Sequence, residues 1–144
     1  MPRNVYSDIF LHIVWRTKDN APMVREGFRD ELHAFVQQRC DRTDGVRCHA
    51  VGGTTDHVHV AVRVPPTLQV AEWIGKLKGA SSYYVNNELG HTKALQWQTG
   101  YGVVSFGRKP LPFVVEYIQN QEEHHGAGKA YARLERITAD RDDG

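Results

Sequence analysis

Residues 56–62, Asp56-His57-Val58-His59-Val60-Ala61-Val62, set two histidines two positions apart in a valine-rich run. Side chains alternate across a strand, so His57 and His59 would project together with Cα atoms roughly 6.5 Å apart while the valines face the other way. Two neutral imidazoles at that spacing can share one cation. In Phe113-Val114-Val115-Glu116-Tyr117-Ile118-Gln119-Asn120-Gln121, Tyr117 and Gln121 stand four positions apart and on a helix would face one way. Tyr117, Gln121 and His124 fall within about 60° of one another on a helical wheel. An amide oxygen as third donor suits a hard catalytic ion such as Mg²⁺ or Mn²⁺ better than a closed zinc site, and leaves positions for phosphate oxygens. A tyrosine, with an ordinary pKa of about 10, needs a nearby cation or base to act as a nucleophile. Metal pair, third ligand and nucleophile are together the parts of phosphodiester transfer. Taken singly, the same residues have plainer readings. An isolated His-x-His can be polar sheet surface, and Tyr117 can be the edge of an apolar helix face.

The elements that would position these groups can be read from hydrophobic period. Residues 7–16 alternate Ile9, Leu11, Ile13 and Trp15 with Phe10, His12 and Val14, apolar on both sides, as in a central strand. After the break at Asn20-Ala21-Pro22, Phe28, Leu32, Phe35, Val36 and Cys40 recur at helical spacing over 25–42. Asp44-Gly45 marks a turn, and 46–53 and 57–64 read as the two arms of a hairpin, expected near the sheet centre. Val58, Val60 and Val62 would face helices, and His57 and His59 the open side. A second helix spans 68–89 and ends at Gly90; 91–99 has no period and reads as a loop; 101–106 is a short strand. Pro110 and Pro112 open a third helix, with Leu111, Val114, Val115 and Ile118 as its apolar face and Gly126 as its stop. The first six elements, β-α-β-β-α-β, follow the order of an α+β ferredoxin-like domain with a four-stranded antiparallel sheet. The third helix is additional and would lay Tyr117 and Gln121 over the open face. We expect one domain over 1–144, with a core of about 7–125 and a tail over 126–144 that from Lys129 is a short helix or frayed.

Composition narrows the class without deciding it. The chain has 144 residues, 40% apolar, and a formal charge of +1, as in an ordinary soluble domain. No signal-peptide pattern or membrane-length apolar run is present, so a cytoplasmic location and no membrane partner are expected. Cys40 and Cys48 are too few for a disulfide framework and read as reduced. Between His57 and Val115 six basic residues face two acidic ones, whereas the last ten residues hold four carboxylates. A basic middle is compatible with nucleic acid and equally with a solvated surface.

Five motifs in one order resemble a known family. They are Leu11-His12-Ile13-Val14-Trp15-Arg16-Thr17-Lys18, Asp56-His57-Val58-His59, Lys78-Gly79-Ala80-Ser81-Ser82, Trp97-Gln98-Thr99-Gly100-Tyr101-Gly102, and the run from Tyr117 to His125. Together, over residues 7–125, they resemble the single-tyrosine HUH transposases of the insertion-sequence 200/605 family. The resemblance implies a small ferredoxin-like nuclease and strand transferase that cuts and rejoins single-stranded DNA at the ends of a mobile element without ATP. By position it makes His57 and His59 the metal pair, Gln121 the third ligand for Mg²⁺ or Mn²⁺, and Tyr117 the nucleophile joined to a DNA 5′ end. It further implies a subterminal DNA hairpin as partner and a two-fold homodimer in which the tyrosine helix can act in trans, swinging on the break at 107–110. Arg16, Lys18, Lys76, Lys78, Arg108 and Lys109 are the candidate phosphate contacts, with Tyr83 and Tyr101 as candidate stacking partners. The short run after His125 leads us to expect the plain insertion-sequence type rather than relatives tied to dispersed palindromic repeats.

Rival readings remain at this level. A two-histidine phosphoesterase needs two His-x-Thr/Ser elements, and only one His-x-His is present. A ferredoxin-like single-strand nucleic-acid binder or an inactivated transposase would bind without forming a covalent product. A structural zinc site of His57, His59, His124 and His125 would lose its fold on chelation.

Overall fold

The computed structural model describes residues 5–121. His124, His125, the Gly126 stop and the tail from Lys129 lie outside the described residues. The elements are β1 (Ile9–Arg16), α1 (Glu26–Asp41), β2 (Arg47–Gly53), β3 (His57–Val64), α2 (Val70–Tyr83), β4 (Gly102–Phe106) and α3 (Leu111–Gln119), with a π turn (Tyr84–Glu88) continuing α2. They form the expected α+β architecture, one antiparallel sheet in the order β2-β3-β1-β4. One expectation is corrected. Of the hairpin arms only β3 is central, and β2 is an edge strand, because β1 inserts between β3 and β4.

The alternation in β1 and β3 divides the molecule into two layers. Ile9, Leu11, Ile13 and Trp15 of β1 join Val58, Val60, Val62 and Val64 of β3 in a core with Phe28, Leu32, Val36 and Cys40 of α1 and Ile74 and Leu77 of α2. The α1 residues recur every fourth position, so one helical stripe is buried, each large side chain worth about 1.5–3 kcal/mol. Cys40 and Cys48 are free thiols inside this layer, and the Cys48 thiol beside Cys40, together with burial, pushes Cys40 up and out of reach of ordinary titration. The other face carries His57, His59 and Ala61 of β3 and His12 of β1, and it is not open. Val114 and Ile118 of α3 pack on Ala50 and Ala61 there. Among the described residues no helix is long and apolar enough to cross a membrane.

A glycine sets how closely α3 approaches. A Cβ on Gly52, which pairs with His59, would lie 2.2 Å from the Ile118 carbonyl oxygen, a backbone atom that cannot rotate away. Gly52→Ala is therefore expected to lift α3 and destabilise the fold by about 1–3 kcal/mol in urea unfolding. Gly75→Ala is the contrast. That glycine sits mid-α2 with nothing near its absent Cβ, so alanine there should stabilise by about 0.5–1 kcal/mol. Equal effects at both sites would refute the close-approach account.

Candidate active site

The strand alternation brings His57 and His59 onto one face, ring centroids 4.9 Å apart and nearly perpendicular. Above them α3, entered through Pro110 with Pro112 in its first turn, lays the Tyr117 ring 6.1 Å from the His59 ring. Gln121 lies just past the end of α3, and its Nε2 donates to the Tyr117 carbonyl at 3.0 Å, so the four-residue relation survives beyond the helix. Its Oε1 is 3.2 Å from His57 Nε2. His57, His59, Tyr117 and Gln121 are each at most 2% exposed. The residues expected to share a site are thus gathered in one buried cluster.

Each histidine is oriented by a neighbour. His57 Nδ1 donates to the Asp56 carboxylate at 2.6 Å, and the Thr54 hydroxyl donates to the same oxygen at 3.3 Å. The His57 imidazole bonded to Asp56, with the Arg16 guanidinium 3.9 Å away, holds that carboxyl below the usual carboxylate range. This arrangement turns His57 Nε2 toward Gln121. His59 Nδ1 lies 2.7 Å from His12 Nε2, the two rings stacked at 4.9 Å. With the proton on Nδ1, His59 donates to His12 and keeps its Nε2 lone pair for a cation, the arrangement by which metal-binding imidazoles are fixed in one tautomer. His12 carried no assigned role in the sequence reading. Its signals are a polar residue in the otherwise apolar second face of β1 and its place in the Leu11–Lys18 motif.

The donor set can be tested for its fit to a cation. Among the described residues no group of three histidine, cysteine, aspartate or glutamate side chains is arranged to hold a metal ion. Two imidazoles and the Gln121 amide oxygen gathered on one buried face are a donor set that would fit an exchangeable, oxygen-tolerant ion such as Mg²⁺ or Mn²⁺ better than a closed zinc site.

The candidate DNA contacts do not form one patch. Arg16, Lys18 and Lys78 gather about the 96–100 segment: Gln98 N donates to Arg16 O and Lys18 N to Gln96 O, while Lys78 Nζ donates to the carbonyls of Gln98 and Gly100 at 2.8 and 2.7 Å. Burial holds Lys78 below its usual range, so its main visible work is to clamp that segment. Lys76 is exposed and paired with Glu72 at 3.1 Å. Arg108 makes a two-pronged bond to Asp8 and lies over the Phe10 ring, next to exposed Lys109. Tyr83 is exposed, and Tyr101 packs half-buried against the main core.

Behind Gln121 a cavity of about 430 Å³ runs between α1 and the end of α3, lined in part by His33, Arg29 and Gly52. His33 Nε2 is buried without a hydrogen-bond partner among the described residues. Burial and the Arg29 charge lower its pKa to about 4 against an opposing pull from Asp30. The unfolded chain then takes up this proton near pH 6.5 and the folded chain only near 4. Neutral His33 contributes its full stability above about pH 6.5, and that contribution declines as pH falls to about 4, by on the order of 2–3 kcal/mol. Urea unfolding at neutral and acid pH should show this loss in the parent and a smaller one in His33→Phe. Parallel pH profiles would remove the assignment.

The chain has relatives among known proteins. A family model described as IS200-like transposase matches residues 5–121. The transposases for insertion sequence element IS200 of Salmonella typhimurium and Salmonella typhi are each 26% identical over 123 residues, covering 82% of this chain and 80% of theirs. Among solved structures, a Deinococcus radiodurans R1 protein described as a candidate transposase superposes with a TM-score of 0.63 at 21% identity, covering 84% of this chain and 96% of that one. A REP-associated tyrosine transposase bound to a REP hairpin superposes with a TM-score of 0.59 at 15% identity, covering 88% of this chain and 74% of that one. At these identities the two structures speak for the fold.

Proposed function

Because the chain belongs to the IS200-like transposase family, we propose that it cleaves and rejoins single-stranded DNA at the ends of a mobile element through a 5′-phosphotyrosine intermediate. The observation that carries this reading is the placement of Tyr117 and Gln121 by α3 over the sheet face that holds His57 and His59. Tyr117 Oη attacks the scissile phosphorus, an ester forms between tyrosine and the DNA 5′ phosphate, and the bond to the 3′ oxygen breaks. The phenolic proton is lost and the departing 3′ oxygen gains one. Attack by another 3′ hydroxyl on the phosphotyrosine then restores Tyr117 and joins the new strand, so the bond energy is conserved and no ATP is consumed. A bound Mg²⁺ or Mn²⁺ supplies positive charge at the phosphate and favours the phenolate.

The chain's own residues prepare this chemistry. Asp56 and His12 hold the two imidazoles in one orientation, and Gln121 is steadied by its bond to the Tyr117 carbonyl. Tyr117, Gln121 and both histidines are almost fully buried. This burial means that DNA enters only when α3 shifts. In this structure α3 sits over the histidines of its own chain, the cis arrangement; exchange of α3 within a two-fold homodimer is the trans counterpart we propose. A DNA hairpin as substrate is supported by the hairpin-bound relative, and a cytoplasmic location by the chemistry of reduced thiols. The test is a denaturing-gel assay for a covalent product between the protein and labelled single strands from the flanks of its own gene, with Mg²⁺ or Mn²⁺. A band that survives denaturation is the expected result. Its absence on both strands with both metals, binding being intact, would leave a single-strand binding module or an inactive transposase as the better reading.

A further inference from the structure

A cavity of about 620 Å³ lies away from the tyrosine, between α2 and the segment 93–99. Its lining combines two of the motifs singled out above, at Lys78 and at Trp97. Neither has a part in the cleavage chemistry. We propose that this groove is a subsite for an unpaired nucleotide of the DNA strand, its base against Leu95 and Trp97 and its backbone and base edges met by Lys93 and Gln96. The inference rests on single-stranded DNA being the substrate.

Three observations carry it. The segment has no regular secondary structure, yet a set of hydrogen bonds ties it to α2 and the turn that follows. Lys78 Nζ donates to two of its carbonyls. Asn86 both donates to Leu95 O and accepts from Leu95 N at 2.8 Å. The Trp97 indole donates to Ser81 Oγ and Lys78 O at 3.0 and 3.1 Å. Within it Lys93 is held at φ 57, a left-handed conformation that a non-glycine residue keeps only where its surroundings impose it. A wall ordered before binding spares a ligand the entropy of ordering it.

The chemistry of the lining is that of a nucleotide site. Leu95 is buried and Trp97 half-buried, which makes an apolar floor, while Lys93, Gln96 and Thr99 are exposed at the rim. The lining includes two lysines and no carboxylate. Single strands are held by this pairing of aromatic surface for bases with cations for the backbone, and the volume is that of a small-ligand site rather than a duplex groove.

The groove is also joined to the catalytic end of the sheet. Gln98 N donates to Arg16 O, and Arg16 is the strand partner of His57. A strand seated in the groove is therefore anchored to the same framework that orients the metal pair.

The test measures binding of labelled oligo(dT), oligo(dA) and a duplex without metal, over a range of salt, in a Tyr117→Phe background that forms no ester. Lys93→Ala is expected to lower the salt slope by about 0.7, the value for one single-strand phosphate contact. Gln96→Glu is expected to weaken oligonucleotide binding about tenfold and change the dT-to-dA preference. Arg47→Ala, on the far edge strand, should change neither. A strand carrying 5-iododeoxyuridine should photocrosslink within residues 93–99, mapped by mass spectrometry. Unchanged slope and preference in both groove variants, or crosslinks confined to other segments, would overturn the proposal. Since cleavage plays no part in these readouts, failure of the covalent mechanism would appear separately, as a missing adduct in the parent protein with metal while groove binding stays intact.

Discussion

Tyr117→Phe should yield no covalent protein–DNA product and should lower strand cleavage by at least about 10⁴-fold, a loss of the size seen when a covalent nucleophile is removed. The substitution is informative because it deletes one oxygen and nothing else. The ring lies between His59, 6.1 Å away, and Phe113, 6.4 Å away, on the helix face that packs on the sheet, and phenylalanine keeps that volume. Unfolding stability should therefore move by no more than about 1 kcal/mol, and metal-free DNA binding should stay at the parent value. A mutant that retains the adduct would show that another residue attacks the phosphate. A mutant that loses the adduct together with its fold would assign Tyr117 to structure alone, and the urea transition separates the two.

Removing either imidazole of the pair is the second large effect. His59→Ala and His57→Ala each cut three donors to two, so Mn²⁺ affinity, read by electron paramagnetic resonance of the free ion, should fall by at least about 10²-fold, and adduct formation with it. His12→Phe discriminates between a ligand and a residue that positions one. It leaves all three donors in place but removes the group 2.7 Å from His59 Nδ1, and orienting partners of this type are worth about 10–100-fold in affinity. The expected order is parent, then His12→Phe, then His59→Ala. If His12→Phe binds Mn²⁺ like the parent while its stability drops, His12 is a packing residue only. If all three variants bind like the parent, the pair is not the metal site.

Much of this was open to inspection in the chain itself. β3 occupies 57–64, as its valine alternation implied, and the α1 stripe of Phe28, Leu32, Val36 and Cys40 is buried as its spacing required. Such features are encoded in neighbouring residues: a period of two or of 3.6 decides which side chains share a face whatever packs against them. That His57 and His59 share one face is a property of the same kind, and the four-residue relation of Tyr117 and Gln121 is kept although Gln121 lies just past the end of α3. Other features are decided between distant segments. His12 and His59 are 47 positions apart, and they meet because the β1–β3 register sets His12 opposite Ala61 and His59 opposite Val14, diagonal neighbours on one face. Lys78 reads as a surface cation until the 96–100 segment folds back and accepts two hydrogen bonds from it. Gly52 reads as part of the hairpin turn Gly52-Gly53-Thr54-Thr55-Asp56; only the carbonyl of Ile118, brought down by α3 onto β2, shows that a side chain there would clash. The sequence by itself determined the elements and the pairs of chemical groups each one presents, because those follow from local geometry. The tertiary structure alone decided which pairs face each other, which strand lies at the edge, and which neighbours orient the histidines, because these depend on register and on packing distances that no local period encodes.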